Sequence, residues 1–271
     1  MKADKWVARI ERASALEKLY AFAAEGLRFY QRLAQAQKTL YGDLELQFGK
    51  LRKPRASGEL RQELDLFFLL PRLSPFLSVI DQHAPPPLAQ SARAMRARNG
   101  NHAREMLTRF WQAGSVAGAD LDPAEALVSW AFLQPYAEYV ADTTALSATD
   151  GTPSCCPLCE GKPLVGVLRQ EGDGGKRSLI CALCAHEWNY RRILCPDCGA
   201  EDPHKLAVYS ADGIAHVRVE ACDVCRHYIK TVDLTKDGRA VPVVDELATI
   251  PLNLWAAEHG YRKSETNLLG I

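Results

Sequence analysis

This chain lacks any long apolar run: its longest, such as 66–70, stop far short of the ~20 residues that carry a helix across a bilayer. Membrane insertion as a helix is therefore excluded as an expectation. The opening stretch, MKADKWVARIERASALEKL, mixes charge into every turn and lacks the unbroken apolar core of a secretory signal. A cytoplasmic protein is expected. A charge excess is also missing, since 33 Lys and Arg balance 33 Asp and Glu. Duplex nucleic-acid binders normally carry a basic surplus, because each phosphate contact takes a Lys or Arg. Residues 151–234 hold 10 Lys and Arg against 11 Asp and Glu, so no local surplus rescues that reading. No nucleic-acid partner is expected. Finally, cysteine is absent from most of the chain. All nine fall in the 71 positions from Cys155 to Cys225, leaving the other 200 without one.

What is present divides into two kinds of sequence. From Asp4 to about Leu146 apolar residues recur every three or four positions, as in Trp6, Ile10, Ala13, Leu16, Leu19, Tyr20, Ala23 and Leu27. The pattern continues through Tyr30, Leu33, Leu40, Tyr41, Leu44 and Phe48, and breaks over 53–58. It resumes over 60–70, with Pro71 and Pro75 marking a bend, then over 88–98 and 102–113 after the stiff Pro85-Pro86-Pro87 connector. A last helix opens at Asp122-Pro123, with Glu125 placed for a capping box, and Pro135 is expected to kink it. Its aromatic residues read as helix-packing core. No carboxylate pair, phosphate loop or nucleophile–base set stands out here, so no catalytic residue is assigned.

After a small, polar linker at 147–154 the helical period vanishes until about Asp245. Four C-x-x-C pairs punctuate this region: Cys156/Cys159, Cys181/Cys184, Cys195/Cys198 and Cys222/Cys225. Between the first two pairs a hairpin is expected, with strands at 164–169 and 176–180 about a turn at 171–175. Between the last two the design repeats, with strands at 205–210 and 214–220 about a turn at 211–213. A third strand follows each unit, at 187–193 and 227–234. Cys156 to Cys195 spans 39 positions, the period of an internal duplication. A C-x-x-C turn aims two sulfurs at one point, and two such turns at the ends of one hairpin surround a tetrahedral ion at about 2.3 Å. Cys156, Cys159, Cys181 and Cys184 are thus expected to ligate one metal, and Cys195, Cys198, Cys222 and Cys225 a second. Disulfides are the competing reading, disfavoured in a cytosolic chain. An all-sulfur site accepts zinc, the default structural ion, or iron. The Cys195-Pro-Asp-Cys198-Gly turn resembles a rubredoxin knuckle, which favours iron.

Neighbouring residues carry plainer readings. Cys155 is a spare or reactive thiol beside a filled ligand set. His186 and His227 lie near the sites without ligating, and Trp188 packs over the first. Arg191 and Arg192 mark a solvated strand end, and Asp223 is a turn residue.

These segments carry a family resemblance. CPLCEGKPLVGVL, CALCAHEWNYRRILCPDCG and CDVCRHYIKTVDL, with FLQPYAE in the last N-terminal helix and DELATIPLNLWAAEHGYRKSETNLLGI at the end, resemble the formate dehydrogenase accessory protein family, FdhE. The resemblance implies a non-enzymatic, cytoplasmic assembly factor. It would bind the formate dehydrogenase catalytic subunit before maturation or export, and carry rubredoxin-like iron centres at the four cysteine pairs. The expected architecture is α+β. A helical domain at 1–147 precedes a linker at 148–154. Two tandem rubredoxin-like or zinc-ribbon-like β units follow, at 155–193 and 194–240, and then a C-terminal helix and tail at 241–271. Two metal ions per chain are expected, iron before zinc. The alternative function, a nucleic-acid-binding or transcription-related zinc ribbon, is opposed by the charge balance.

Overall fold

The computed structural model describes residues 4–49, 53–55, 59–146, 152–171 and 174–270. Helix α1 (Lys5–Leu19) is capped by Asp4, whose carboxylate accepts the backbone N–H groups of Trp6 and Val7. One 3₁₀ turn at Ala21–Ala23 then reverses the chain into α2 (Ala24–Phe48), so the apolar pattern that runs on through Leu27 covers two helices. Gly49 ends α2 with φ 77°, a conformation that costs glycine nothing. The expected break over 53–58 is partly visible as β1 (Lys53–Arg55), which pairs in parallel with β2 (Thr144–Leu146); 56–58 lie outside the described residues.

Helix α3 (Leu66–His83) runs through both Pro71 and Pro75, the positions where the sequence suggests a bend. The two prolines are four residues apart and exposed, while Phe68, Leu69, Leu73, Phe76, Leu77 and Ile80 are buried on the opposite face. The N–H groups the prolines lack are therefore missing on the solvent side only, and the hydrogen bonds of the core face stay intact. Helices α4 (Pro86–Ala97) and α5 (Gly100–Ala113) follow. Helix α6 (Pro123–Asp142) is the hub. It is buried on every side from Val128 to Val140, and Pro135 does not end it. Asp122 caps it as expected, but Glu125 turns instead to Arg98 and His102, at 2.6 and 3.0 Å. Buried Glu138 is held by Arg9 at 2.7 Å and Lys5 at 2.8 Å, fastening α1 to α6. No helix among the described residues is long and apolar enough to cross a membrane.

The linker expected at 147–154 lies mostly outside the described residues. Beyond it, β3 (Pro163–Glu171) and β4 (Gly174–Cys181) form the first hairpin, with β5 (Glu187–Asn189) beside β4. The expected turn at 171–175 is shorter, since β4 already begins at Gly174, and 172–173 lie outside the described residues. The second unit is β6 (Leu206–Ser210), β7 (Val217–Cys222) and β8 (His227–Asp233). Both third strands are shorter than the sequence suggests. The two units do not stand as separate modules. β3 pairs in parallel with β8, giving one mixed sheet of order β5-β4-β3-β8-β7-β6, with β9 (Arg262–Lys263) added to β8. The C-terminal helix is two, α7 (Pro242–Ala248) and α8 (Ile250–Glu258), with Pro251 in the first turn of the second, where its missing N–H costs no hydrogen bond. Helix α7 lies between the sheet and α1, so the α+β assignment holds with the halves closely joined.

The join between the duplicated units depends on one residue without a side chain. In the β3–β8 register Gly166 faces Thr231, and a Cβ on Gly166 would stand 2.3 Å from the Thr231 hydroxyl oxygen. Both strands are buried, so nothing can give cheaply. Gly166→Ala is expected to destabilise the protein by about 1–3 kcal/mol, the usual cost of overpacking. Urea unfolding would measure it, and adding Thr231→Ala should recover much of the loss. A double variant no better than Gly166→Ala would place the cost elsewhere.

Candidate metal centres

Each C-x-x-C pair sits in a turn with the same backbone plan. The residue after the second cysteine is left-handed in all four: Glu160 at φ 58°, Ala185 at 52°, Gly199 at 72° and Arg226 at 59°. In each, that residue donates its N–H to the carbonyl of the first cysteine, at 2.8 to 3.2 Å. In three, the first cysteine donates its own N–H to the carbonyl five residues on, in Gly161, His186 and Ala200. The duplication is thus written in the backbone as well as in cysteine spacing. Only one of the four left-handed positions is glycine, and an L-residue there costs roughly 1–2 kcal/mol. Ala185→Gly is expected to raise stability by up to about 1 kcal/mol, glycine's extra unfolded-state freedom offsetting part of the relief. A thermal melt would show it; an unchanged or lower midpoint would count against the strain.

These turns bring the cysteines together in two sets. Cys156, Cys159, Cys181 and Cys184 form one, and Cys195, Cys198, Cys222 and Cys225 the other, with sulfurs within 4.8 Å of one another in each. In the first, Cys156–Cys184, Cys159–Cys181 and Cys159–Cys184 stand at 3.6, 3.3 and 3.5 Å. In the second, Cys195–Cys225 and Cys198–Cys222 stand at 3.7 Å. Disulfide sulfurs would be about 2.05 Å apart. Four sulfurs at about 2.3 Å from a tetrahedral ion are about 3.8 Å apart, so both sets fit such an ion closely. All eight are free thiols.

The electrostatics point the same way. Hydrogen bonds from Cys156, Cys181 and Cys184 hold the Cys159 thiol well below its ordinary pKa, while burial pushes Cys181 and Cys184 well above theirs. In the second set burial raises Cys195, and raises Cys225 to about 11. Burial opposes ionisation of Cys198 too, but the Ala200 N–H and the Cys225 thiol outweigh it and lower its pKa. Within each set one thiol ionises at its neighbours' expense. Four thiolates together require a cation. Each set is therefore able to hold one metal ion.

The surroundings of the sets differ. Helical-half residues grip the first: Arg61 Nε donates to the Cys159 carbonyl, while Trp130 Nε1 and Gln134 Nε2 donate to the Ala182 carbonyl at 3.1 and 3.3 Å. Cysteine spacing carries no signal for these anchors. Trp130 and Gln134 sit one turn apart on α6 and read as core packing. Gly161 closes the set from within, since a Cβ there would lie 3.0 Å from Cys181 Sγ and 3.2 Å from Cys159 Sγ. The C-terminal tail grips the second set. Tyr261 donates its hydroxyl to Asp223 at 2.7 Å, Arg226 pairs with Asp223 at 2.7 Å, and Ser264 donates to Asp197. Asp223 is more than a turn residue.

Cys155 is exposed and free. Trp188 is buried and donates its indole N–H to the Pro153 carbonyl, just ahead of the first turn. Burial lowers the pKa of His186, whose carbonyl caps Cys181. Arg191 is paired with Glu201 at 2.8 and 2.9 Å, and Arg192 lines a small recess beside the second set.

Comparison with known proteins agrees with this geometry. Family models described as the FdhE central domain and the FdhE C-terminal domain match residues 155–192 and 193–269. The chain is 33% identical over 234 residues to a protein FdhE homolog of Pseudomonas aeruginosa, covering 81% of this chain and 74% of the relative. It is 28% identical over 209 residues to a protein FdhE homolog of Aquifex aeolicus, covering 77% and 72%. The crystal structure of the FdhE protein from Pseudomonas aeruginosa shares the fold, with a TM-score of 0.70 at 24% identity, over 99% of this chain and 97% of that one.

Proposed function

This chain belongs to the FdhE family, and we propose that it is a cytoplasmic accessory factor for formate dehydrogenase that binds the catalytic subunit before maturation is complete. Family membership is the observation that carries this reading, supported by two cysteine sets fit for a metal ion each. In this reading Cys156, Cys159, Cys181 and Cys184 hold one ion, and Cys195, Cys198, Cys222 and Cys225 the other. Iron is favoured over zinc because the Cys195–Cys198 turn has the rubredoxin form; iron would supply a one-electron valence change, whereas zinc supplies only structure. The chain's own contribution is to orient the sulfurs through four left-handed turns and to keep water from the first set by burial. The protein itself catalyses no reaction.

Affinity capture tests the proposal. Tagged protein is expected to retain the formate dehydrogenase catalytic subunit from lysate of cells growing on formate. Repeated failure with every form of that subunit would sink it. Metal analysis with visible absorption separates iron from zinc. Two irons bleached reversibly by reductant would support a redox role, and two colourless zincs would leave the sites structural.

A further inference from the structure

The duplication produced two chemically identical ligand sets and put them in unlike surroundings. Every cysteine of the first set is buried, at 2% exposure or less. Its turns are tied to the helical half by Arg61, Trp130 and Gln134, and Gly161 lies against its sulfurs. In the second set Cys195 and Cys222 are buried, Cys225 is half-buried and Cys198 is exposed. A Cβ added to Gly199, next to Cys198, would meet nothing within 4 Å, so among the described residues the space beside that position is open. Val224, between Cys222 and Cys225, is also exposed.

We propose that the second set is the exchangeable centre of this protein, open at Cys198 to an incoming thiolate, while the first is a closed structural staple. The proposal rests on the reading that each set holds one metal ion. A soft anionic sulfur, from a small thiol or from a cysteine of a bound client, is the donor that competes best at an all-thiolate site. The exchange is a substitution without redox. An incoming thiol would lose its proton and bond to the ion as the Cys198 sulfur leaves, and Cys198 would take up that proton. Such substitution follows access to the ligand set, which is greater at the second set, where Cys198 is exposed and Cys225 half-buried.

The test uses full-length protein loaded with two equivalents of cadmium and challenged with dithiothreitol, a chromogenic chelator reporting release. One equivalent is expected to leave at least about tenfold faster than the other, in keeping with the difference in access. Cys198→Ser is expected to bind a single tight equivalent and to keep its far-ultraviolet circular dichroism. Release of both equivalents at one rate would overturn the proposal. Where Cys198→Ser does not fold, alkylation of half-emptied wild-type protein decides. Label on Cys195, Cys198, Cys222 and Cys225 supports the assignment, and label on Cys156, Cys159, Cys181 and Cys184 overturns it. A chain that binds no metal at all would instead refute the ligand reading beneath both, and a failed client capture would leave this result untouched.

Discussion

Cys184→Ser is expected to abolish the cooperative melt of this protein, the largest effect of any single substitution considered. Cys184 is 2% exposed and stands 3.6 and 3.5 Å from Cys156 and Cys159. A structural zinc in a small domain contributes roughly 10–16 kcal/mol of folding energy. Whole-protein stability is usually about 5–15 kcal/mol, so a substitution that empties this set removes a comparable quantity. The damage would spread because the first set lies where the halves meet. Trp130 and Gln134 of α6 hold the Ala182 carbonyl, and Leu60 donates its N–H to the Leu158 carbonyl at 3.4 Å. Calorimetry of the variant should show a broad or missing transition with one equivalent of metal at most. A midpoint within a few degrees of the wild type would mean that packing alone secures the first unit.

The contrast between the sets was invisible in the sequence, where the pairs have the same spacing. Spacing reports a local geometry, and that part was legible: C-x-x-C turns, the hairpins between them, and the four cysteines each hairpin brings together. The helical half was legible for the same reason, since a 3.6-residue period depends only on neighbours along the chain. What escaped depends on distant partners. The fusion of the units rests on Gly166 fitting against Thr231 across β3 and β8, some 65 positions apart in the chain. Continuity of α3 through Pro71 and Pro75 depends on which face looks outward, and that is settled by packing against the core. The polar residues of FLQPYAE and DELATIP gave no warning that they are buried. Gln134, Glu138, Asp245 and Glu246 are all within the core, each bonded to a group far away in sequence. Glu138 ties α6 to α1, Asp245 ties α7 to α1, Glu246 ties α7 to β8, and Gln134 ties α6 to the Cys181–Cys184 turn.

Glu246 makes the strongest case among them. Its side chain is fully buried. One oxygen takes the ammonium of Lys230 at 3.0 Å and that of Lys263, and the other accepts from Asn267 at 3.0 Å. Lys230 is itself fully buried, with the Glu246 carbonyl and the Thr249 hydroxyl as further acceptors. Two cations therefore share one carboxylate in a dry site between β8 and α7. Burial and the nearby Lys263 charge lower Lys230 from 10.5 to about 8, Glu246 opposing them, while the two ammonium groups outweigh burial and hold Glu246 below its ordinary value. Glu246→Gln leaves both cations without a counter-charge and is expected to cost about 3–5 kcal/mol near neutral pH. The pH dependence distinguishes this cause from lost packing. The fold binds fewer protons at Lys230 than the unfolded chain does between about 8 and 10.5, so the wild type gains stability as pH rises through that window. On the acid side, the depressed Glu246 contributes stability above 4.5 that is lost as pH falls through its folded value. With the carboxylate gone, Lys230 should give up its proton at lower pH still, so the deficit of Glu246→Gln should shrink as the solution becomes alkaline. Urea unfolding of both proteins near pH 7 and near pH 9.5 measures the two gaps. A gap that does not narrow would assign the loss to shape and hydrogen bonding, and a gap under about 1 kcal/mol at neutral pH would show that water already reaches these lysines.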